Sequence, residues 1–310
     1  MRILNFGSLN IDAVYRVDHI SAPGETIASK SFQTFAGGKG ANQSVALARA
    51  GADVAHGGQV GEDGRWLVEK LRQAGVDVTH TRINPDIATG HAIIQVDDSG
   101  QNSIVLFGGA NQQITRVQVD AAFSAFVAGS ILLLQNEVND AAYLIKQGHA
   151  RGMKVCLNPA PFDAGVLKYP LDRVDTIIVN ETEAAGLAGD TSGGGGGGGG
   201  GGASGGEERV LDKLTKKLPK TEIVLTRGSQ GVLYGRGEKR LSVPAVQVEA
   251  VDTTAAGDTF IGYYLAGRAA GRDVQQCLQT ACRAAALCVT KPGASDSIPT
   301  TQQVEAFSHG

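Results

Sequence analysis

The sequence predicts an α/β protein, with a mostly parallel central sheet flanked by helices and a small second β-sheet. Short apolar runs alternate with longer amphipathic runs over most of the chain, as expected of β and α elements wound into a parallel sheet. Two regions, about 12–36 and 88–108, break that alternation and read as strands joined by turns. The length of 310 residues suits one large α/β domain or two smaller ones, ample for a buried core, and the chain is read as a single domain.

Strands of the main sheet are expected at Arg2–Phe6, Val54–Val60, Ile131–Gln135, Lys154–Leu157, Thr176–Val179 and Glu222–Thr226. Helices are expected at Ala41–Ala50, Gly64–Ala74, Arg116–Val127, Asp140–Arg151 and Glu208–Lys217, with further helical runs after Phe260 and through Cys277, Cys282 and Cys288. Right-handed crossovers gather the loops after the strands at one sheet edge, where ligands bind. In the second sheet Ala13–Val17 and Ala92–Val96 alternate, and the turn Asp98-Ser99-Gly100-Gln101 leads to Ile104–Phe107. A sheet with apolar residues on both faces needs a cover. The glycine-rich run 193–206 cannot build a packed element and reads as a flexible surface loop without chemistry.

The charge balance, 28 basic against 31 acidic residues with no basic cluster, argues against nucleic acid as a partner. No apolar run is long enough to span a bilayer, and the N-terminus enters a strand rather than a secretory signal. The four cysteines (156, 277, 282 and 288) form no Cys-x-x-Cys pair and read as buried small hydrophobes of a cytoplasmic protein rather than zinc ligands.

Two motifs carry chemistry. In Val251-Asp252-Thr253-Thr254-Ala255-Ala256-Gly257-Asp258-Thr259-Phe260, small residues open a helix whose free N–H groups attract phosphate. An aspartate inside an anion site repels phosphate, but it makes sense as a base for a hydroxyl that attacks phosphate. The plainer reading places Asp258 in a helix first turn, favourable to the dipole. In Phe35-Ala36-Gly37-Gly38-Lys39-Gly40-Ala41-Asn42-Gln43, three glycines surround one lysine ahead of a helix. Gly40 after Lys39 excludes a Walker A loop, and Gln43 excludes the dinucleotide fingerprint.

Together the two motifs resemble those of the ribokinase family of carbohydrate kinases. Further segments agree in order: Gly7-Ser8-Leu9-Asn10-Ile11-Asp12, Pro23-Gly24-Glu25-Thr26, Asn158-Pro159-Ala160-Pro161, Asn180-Glu181-Thr182-Glu183-Ala184 and Thr226-Arg227-Gly228-Ser229-Gln230-Gly231. The resemblance runs from residue 3 to about residue 299. It implies a ribokinase-like fold in which the small sheet is a lid over the sugar and two lids pack into a homodimer. It also implies ATP-dependent phosphorylation of D-ribose at the 5-hydroxyl, with Mg²⁺ accompanying ATP and K⁺ as an activator.

By the resemblance, Asp258 is the general base, and the N–H groups of Ala255, Ala256 and Gly257 form the anion hole, with Gly or Ala accepted at position 255. Asn10, Ile11, Asp12, Gly38, Lys39, Gly40, Ala41, Asn42 and Glu137, with Asp258 itself, form the sugar site. Asn180, Thr226, Arg227, Gly228, Ser229, Gln230, Gly231, Val243, Gly257, Asp258 and Cys282 form the ATP site, Cys282 standing where relatives can carry histidine. Asn180 and Glu183 place Mg²⁺ through water. Asp252, Thr254, Cys288, Lys291, Gly293 and Ser297 match the potassium loops. Plainer readings stand beside these: Asp12 as a turn residue, Glu137 as a helix N-terminal charge, Asn180 and Glu183 as a capping box, and 226–231 as a hairpin turn. The rival functions are phosphorylation of deoxyribose, fructose or a nucleoside such as adenosine, and non-catalytic binding of a sugar or nucleotide.

Overall fold

The computed structural model describes residues 1–190 and 206–307. In chain order its elements are β1 (Ile3–Phe6), β2 (Asn10–Arg16), β3 (Ser31–Gly37), α1 (Lys39–Arg49), β4 (Val54–Val60), α2 (Arg65–Gln73), β5 (Asp77–Ile83), β6 (Gly90–Val96), β7 (Asn102–Phe107), α3 (Arg116–Phe123), β8 (Ile131–Gln135), α4 (Ala141–Ala150) and β9 (Lys154–Asn158). There follow β10 (Thr176–Val179), α5 (Glu181–Ala188), α6 (Gly206–Lys217), β11 (Glu222–Thr226), β12 (Val232–Arg236), β13 (Lys239–Val243), α7 (Ala256–Ala269), α8 (Val274–Val289) and α9 (Thr301–Ala306).

Among the described residues the main sheet has nine strands in the order β13-β12-β11-β10-β9-β8-β1-β4-β5. From β11 to β5 every pairing is parallel, and β12 and β13 close the other edge as an antiparallel hairpin. Such strands are buried on both faces, which is why they read as unbroken apolar runs. In β8 the alternation sends Ile131 and Leu133 into the core beneath α1, α7 and α8, and Leu132 and Leu134 into the core beneath α3 to α6. A second sheet, ordered β3-β2-β6-β7, is made from the two regions that broke the alternation.

The structure departs from the sequence reading at the edges. Strands β5, β12 and β13 were not anticipated, because β5 is half-exposed and polar, and the hairpin sits at an edge. Helix α3 stops at Phe123 rather than Val127, since tight turns at Ala125 and Phe126 tuck Phe126 beneath Arg2 and beside His80. The glycine-rich run lies outside the described residues, apart from Gly206 at the start of α6. All four cysteines are buried and free. No helix among the described residues is long and apolar enough to cross a membrane.

Candidate active site

The site lies where the N-termini of α1 and α7 meet the C-terminal ends of the parallel strands. Gly38 caps α1 at φ 93°, and a Cβ on Gly40 would stand 2.3 Å from the Ser8 backbone nitrogen, so glycine lets α1 settle on the loop after β1. The Lys39 N–H then donates to Glu137 Oε2 (3.0 Å), which also accepts from the Ser8 hydroxyl. Glu137, in the loop after β8, thus caps α1 from outside it, so the reading of its charge as a helix N-terminal one holds for a helix other than its own. Asn10 opens β2 and accepts from Asn111 (2.7 Å), with Ile11 and Asp12 following in the strand. Burial, reinforced by Glu137, pushes the Asp12 carboxyl up to about 6.

Asp258 sits in the first turn of α7 and is 8% exposed. Asn42 Nδ2 donates to its Oδ2 (3.0 Å) and Gln43 Nε2 to its Oδ1 (2.8 Å). Burial raises its pKa against the opposing pull of Lys39, Gln43 and Asn42. For Lys39 burial works to lower the pKa, but the carboxylates of Asp258, Glu137 and Glu183 outweigh it and hold the ammonium charged. Ala255 precedes α7 in the left-handed region, φ 60°. The three expected anion-hole donors are not equivalent: the Ala256 N–H turns back to the Thr253 carbonyl (3.3 Å), while those of Ala255 and Gly257 make no such bond among the described residues.

Asp258 borders a cavity of about 210 Å³ with Lys39, Ala255, Gly257, Asn180, Glu183 and Thr226. Asn180 and Glu183 do form the capping box of α5, with the Glu183 N–H donating to Asn180 Oδ1 (2.8 Å) and the Asn180 N–H to Glu183 Oε2 (3.0 Å). Cap and cavity wall coincide, so the two readings are compatible. Thr226, Thr253 and Gly257 also border a second, mostly apolar cavity of about 280 Å³, so the two spaces adjoin. Gly228, Ser229 and Gly231 line it from the β11–β12 turn, and Cys282 from α8. Gln230 closes that turn through its N–H to the Arg227 carbonyl, while the Arg227 guanidinium bonds Glu207 and the Gln230 carbonyl instead of lining the cavity. Val243 packs into the core, and the wall is supplied by Ala245, Val246, Val248, Phe260, Ala286 and Val289, which the sequence reading missed.

Beside α7 the loops at 252–254 and 288–297 are tied together. Asp252 accepts from the N–H groups of Thr254 and Gly293, both at 2.9 Å. The Cys288 thiol lies 3.2 Å from the Ser297 hydroxyl and 3.8 Å from the Thr254 carbonyl, and the Lys291 N–H donates to the Cys288 carbonyl. No group of three His, Cys, Asp or Glu side chains among the described residues is placed to hold a metal ion.

Sequence reasoning assigned no role to Ser8, Gln43, Asn111 or Gln135. The available signal was polarity inside apolar runs, as with Asn5 in β1 and Gln135 at the end of β8.

The model of the family described as pfkB family carbohydrate kinase matches residues 2–301. The chain belongs to the pfkB family of carbohydrate kinases. It is 36% identical to a ribokinase of Haemophilus influenzae over 309 residues, covering 97% of this chain and 96% of that protein. A ribokinase of Cryptococcus neoformans var. grubii, solved in complex with ADP, superposes with a TM-score of 0.86 at 34% identity over 98% of both chains. A ribokinase of Arabidopsis thaliana, solved with ribose and ATP, superposes with a TM-score of 0.83 at 30% identity over 99% of both. The fold class of this pfkB member, a mostly parallel sheet flanked by helices with a small second sheet, is the one expected from its sequence.

Proposed function

We propose that the protein transfers the γ-phosphoryl group of ATP to the 5-hydroxyl of D-ribose, giving ribose 5-phosphate and ADP. The observation that carries this reading is the position of Asp258, a buried carboxylate at the start of α7, held by two amides and bordering a cavity that adjoins an apolar one. Full-length likeness to ribokinases, one of them solved with ribose and ATP, supports ribose as the sugar.

In this reading Asp258 takes the proton of the 5-hydroxyl as its oxygen attacks the γ-phosphorus and the bond to the ADP oxygen breaks. Ala255 and Gly257 donate their N–H groups to the charge that develops, with Ala256 the weaker third. The sugar lies among Asn10, Ile11, Asp12, Gly38, Lys39, Gly40, Ala41, Asn42 and Glu137. Asn42 Oδ1 is buried without a partner among the described residues, an acceptor suited to a sugar hydroxyl. The adenine occupies the apolar cavity beside Cys282, with Asn180 and the 226–231 turn near the phosphates. Mg²⁺ accompanies ATP and neutralises phosphate charge. Glu183 fits it through water, because its carboxylate already accepts from Asn180.

K⁺ fits the loops that Asp252 ties, where backbone carbonyls near Thr254, Cys288, Lys291, Gly293 and Ser297 would serve as ligands. The second sheet acts as a lid and pairs with that of a second copy. Its strand register places the exposed Phe35, Ile104 and Leu106 on one face with Asp12, and the exposed Phe32, Ile93, Val105 and Phe107 across the other. Residues of a cytoplasmic enzyme would leave such a surface covered rather than open to water.

ADP release measured with a panel of pentoses, hexoses and nucleosides tests the assignment. Ribose is expected to have the highest kcat/KM, and a higher value for deoxyribose, fructose or adenosine would overturn the sugar while leaving the kinase.

A further inference from the structure

We propose that Gln43 and Gln135 form a one-way amide relay that holds the Asp258 carboxylate in a single orientation for the sugar proton. The inference rests on the phosphoryl-transfer reading of Asp258, and it assigns positioning roles to two residues outside the sugar and nucleotide contacts.

An ionised carboxylate only accepts hydrogen bonds, so Gln43 must turn its NH₂ toward Asp258. That same NH₂ reaches Asn158 Oδ1 at 3.1 Å, and Asn158 is itself fixed by donation to the Ile178 carbonyl (3.0 Å). The Gln43 carbonyl then faces Gln135, which must donate in turn and does so at 2.6 Å. The other Gln135 N–H donates to Asn5 Oδ1 (2.9 Å), and Asn5 Nδ2 donates to Ser44 Oγ and the Gly40 carbonyl, both at 2.8 Å. Ser44 meets His56 Nδ1 at 2.8 Å, and His56 Nε2 lies 3.2 Å from the Gly7 carbonyl. Burial pulls the His56 pKa down to about 4, so the ring is neutral: Nε2–H donates to Gly7 and Nδ1 accepts from Ser44.

Every donor therefore points outward from Gln135, and its own Oε1 is left buried with no partner among the described residues. Flipping Gln135 would satisfy nothing, since its carbonyl would then face the carbonyls of Gln43 and Asn5. One orphaned oxygen is the cost of a chain whose direction is fixed by Asp258 at one end and a backbone carbonyl at the other. These amides sit on buried positions of β1, β8 and α1, so Asp258 is oriented from regular elements of the core rather than from a loop.

The charged groups that act on Asp258 are Lys39 at the start of α1, Glu137 after β8 and Glu183 in α5, and none of them is altered by changes in the relay. Gln43→Met keeps length and bulk but removes the donor. It is expected to lower kcat roughly 10- to 100-fold, to leave KM for ribose and ATP within about threefold, and to move the acid limb of the kcat profile up by about one pH unit. The sign follows because loss of a donor to the carboxylate raises its pKa, and the base acts only when ionised. Gln135→Met does not touch Asp258 and is expected to shift the same limb in the same direction by less. An acid limb that stays at the parent position in the folded variants, or a rise in KM with kcat unchanged, would overturn the relay. If Gln43→Met fails to fold, the limb of Gln135→Met decides alone. A parent enzyme without turnover on ribose would contradict the functional reading instead, a result distinct from an active parent whose variants keep the parental limb.

Discussion

Gly262 lies against Ala46 one helical turn beyond the contact between Asp258 and Asn42. A Cβ on Gly262 would stand 2.3 Å from the Ala46 Cβ and 2.8 Å from the Ala46 backbone, so the close approach of α7 to α1 depends on glycine there. Residues four apart share a helix face, which makes the packing of the pair 262/46 the spacing gauge for the pair 258/42.

Gly262→Ala is therefore expected to push the two helices apart and lower kcat by roughly tenfold or more, because small misplacement of a reacting group is costly. The same strain should destabilise the fold by about 1–3 kcal/mol. Steady-state kinetics and a thermal melt check both. A variant with parental kcat would mean that the α1–α7 spacing does not set the position of Asp258.

Asp12 is proposed above as a sugar contact, and in that role it is expected to make sugar binding sensitive to pH. Its carboxyl is raised to about 6 by burial and Glu137, and protonation removes an acceptor for sugar hydroxyls. KM for ribose is expected to rise as pH falls through 6, with Asp12→Asn higher throughout and flat over that range. A parent KM that is constant from pH 7 to 5 would exclude Asp12 as a titrating sugar contact.

Asp252 ties together the loops proposed above to hold K⁺. At matched ionic strength, K⁺ is expected to raise the rate well above that in Na⁺. Equal rates in the two salts would remove K⁺ from the account.

Ile93 and Val105 are cross-strand neighbours on one face of the second sheet, and both are exposed. Light scattering is expected to give twice the chain mass for the parent and the single mass for the double variant Ile93→Asp, Val105→Asp. A parent at the single mass would contradict pairing through this sheet.

Much of the architecture was legible because parallel strands buried on both faces leave unbroken apolar runs, as in Ile131–Leu134. Strand β5 was not, since Asp77–Ile83 is half-exposed and interrupts its apolar residues with Thr, His and Arg. Around the site, Lys39 and Asp258 stood out because glycines and small residues surround them. Gln43 and Gln135 did not: Gln43 is 215 residues from Asp258 and 92 from Gln135, and the fold alone brings them together. Val243 illustrates a finer limit. Side-chain alternation at the end of β13 sends it into the core, and the cavity wall passes to residues just beyond the strand.

The central claim is that Asp258 is the base for phosphoryl transfer, and turnover of Asp258→Asn tests it most directly. The amide keeps the shape, and calorimetry is expected to show ribose and ATP binding close to the parent. The kcat is expected to fall by roughly 10²–10⁴. An Asp258→Asn protein that binds both substrates and turns over within a few-fold of the parent would contradict the account.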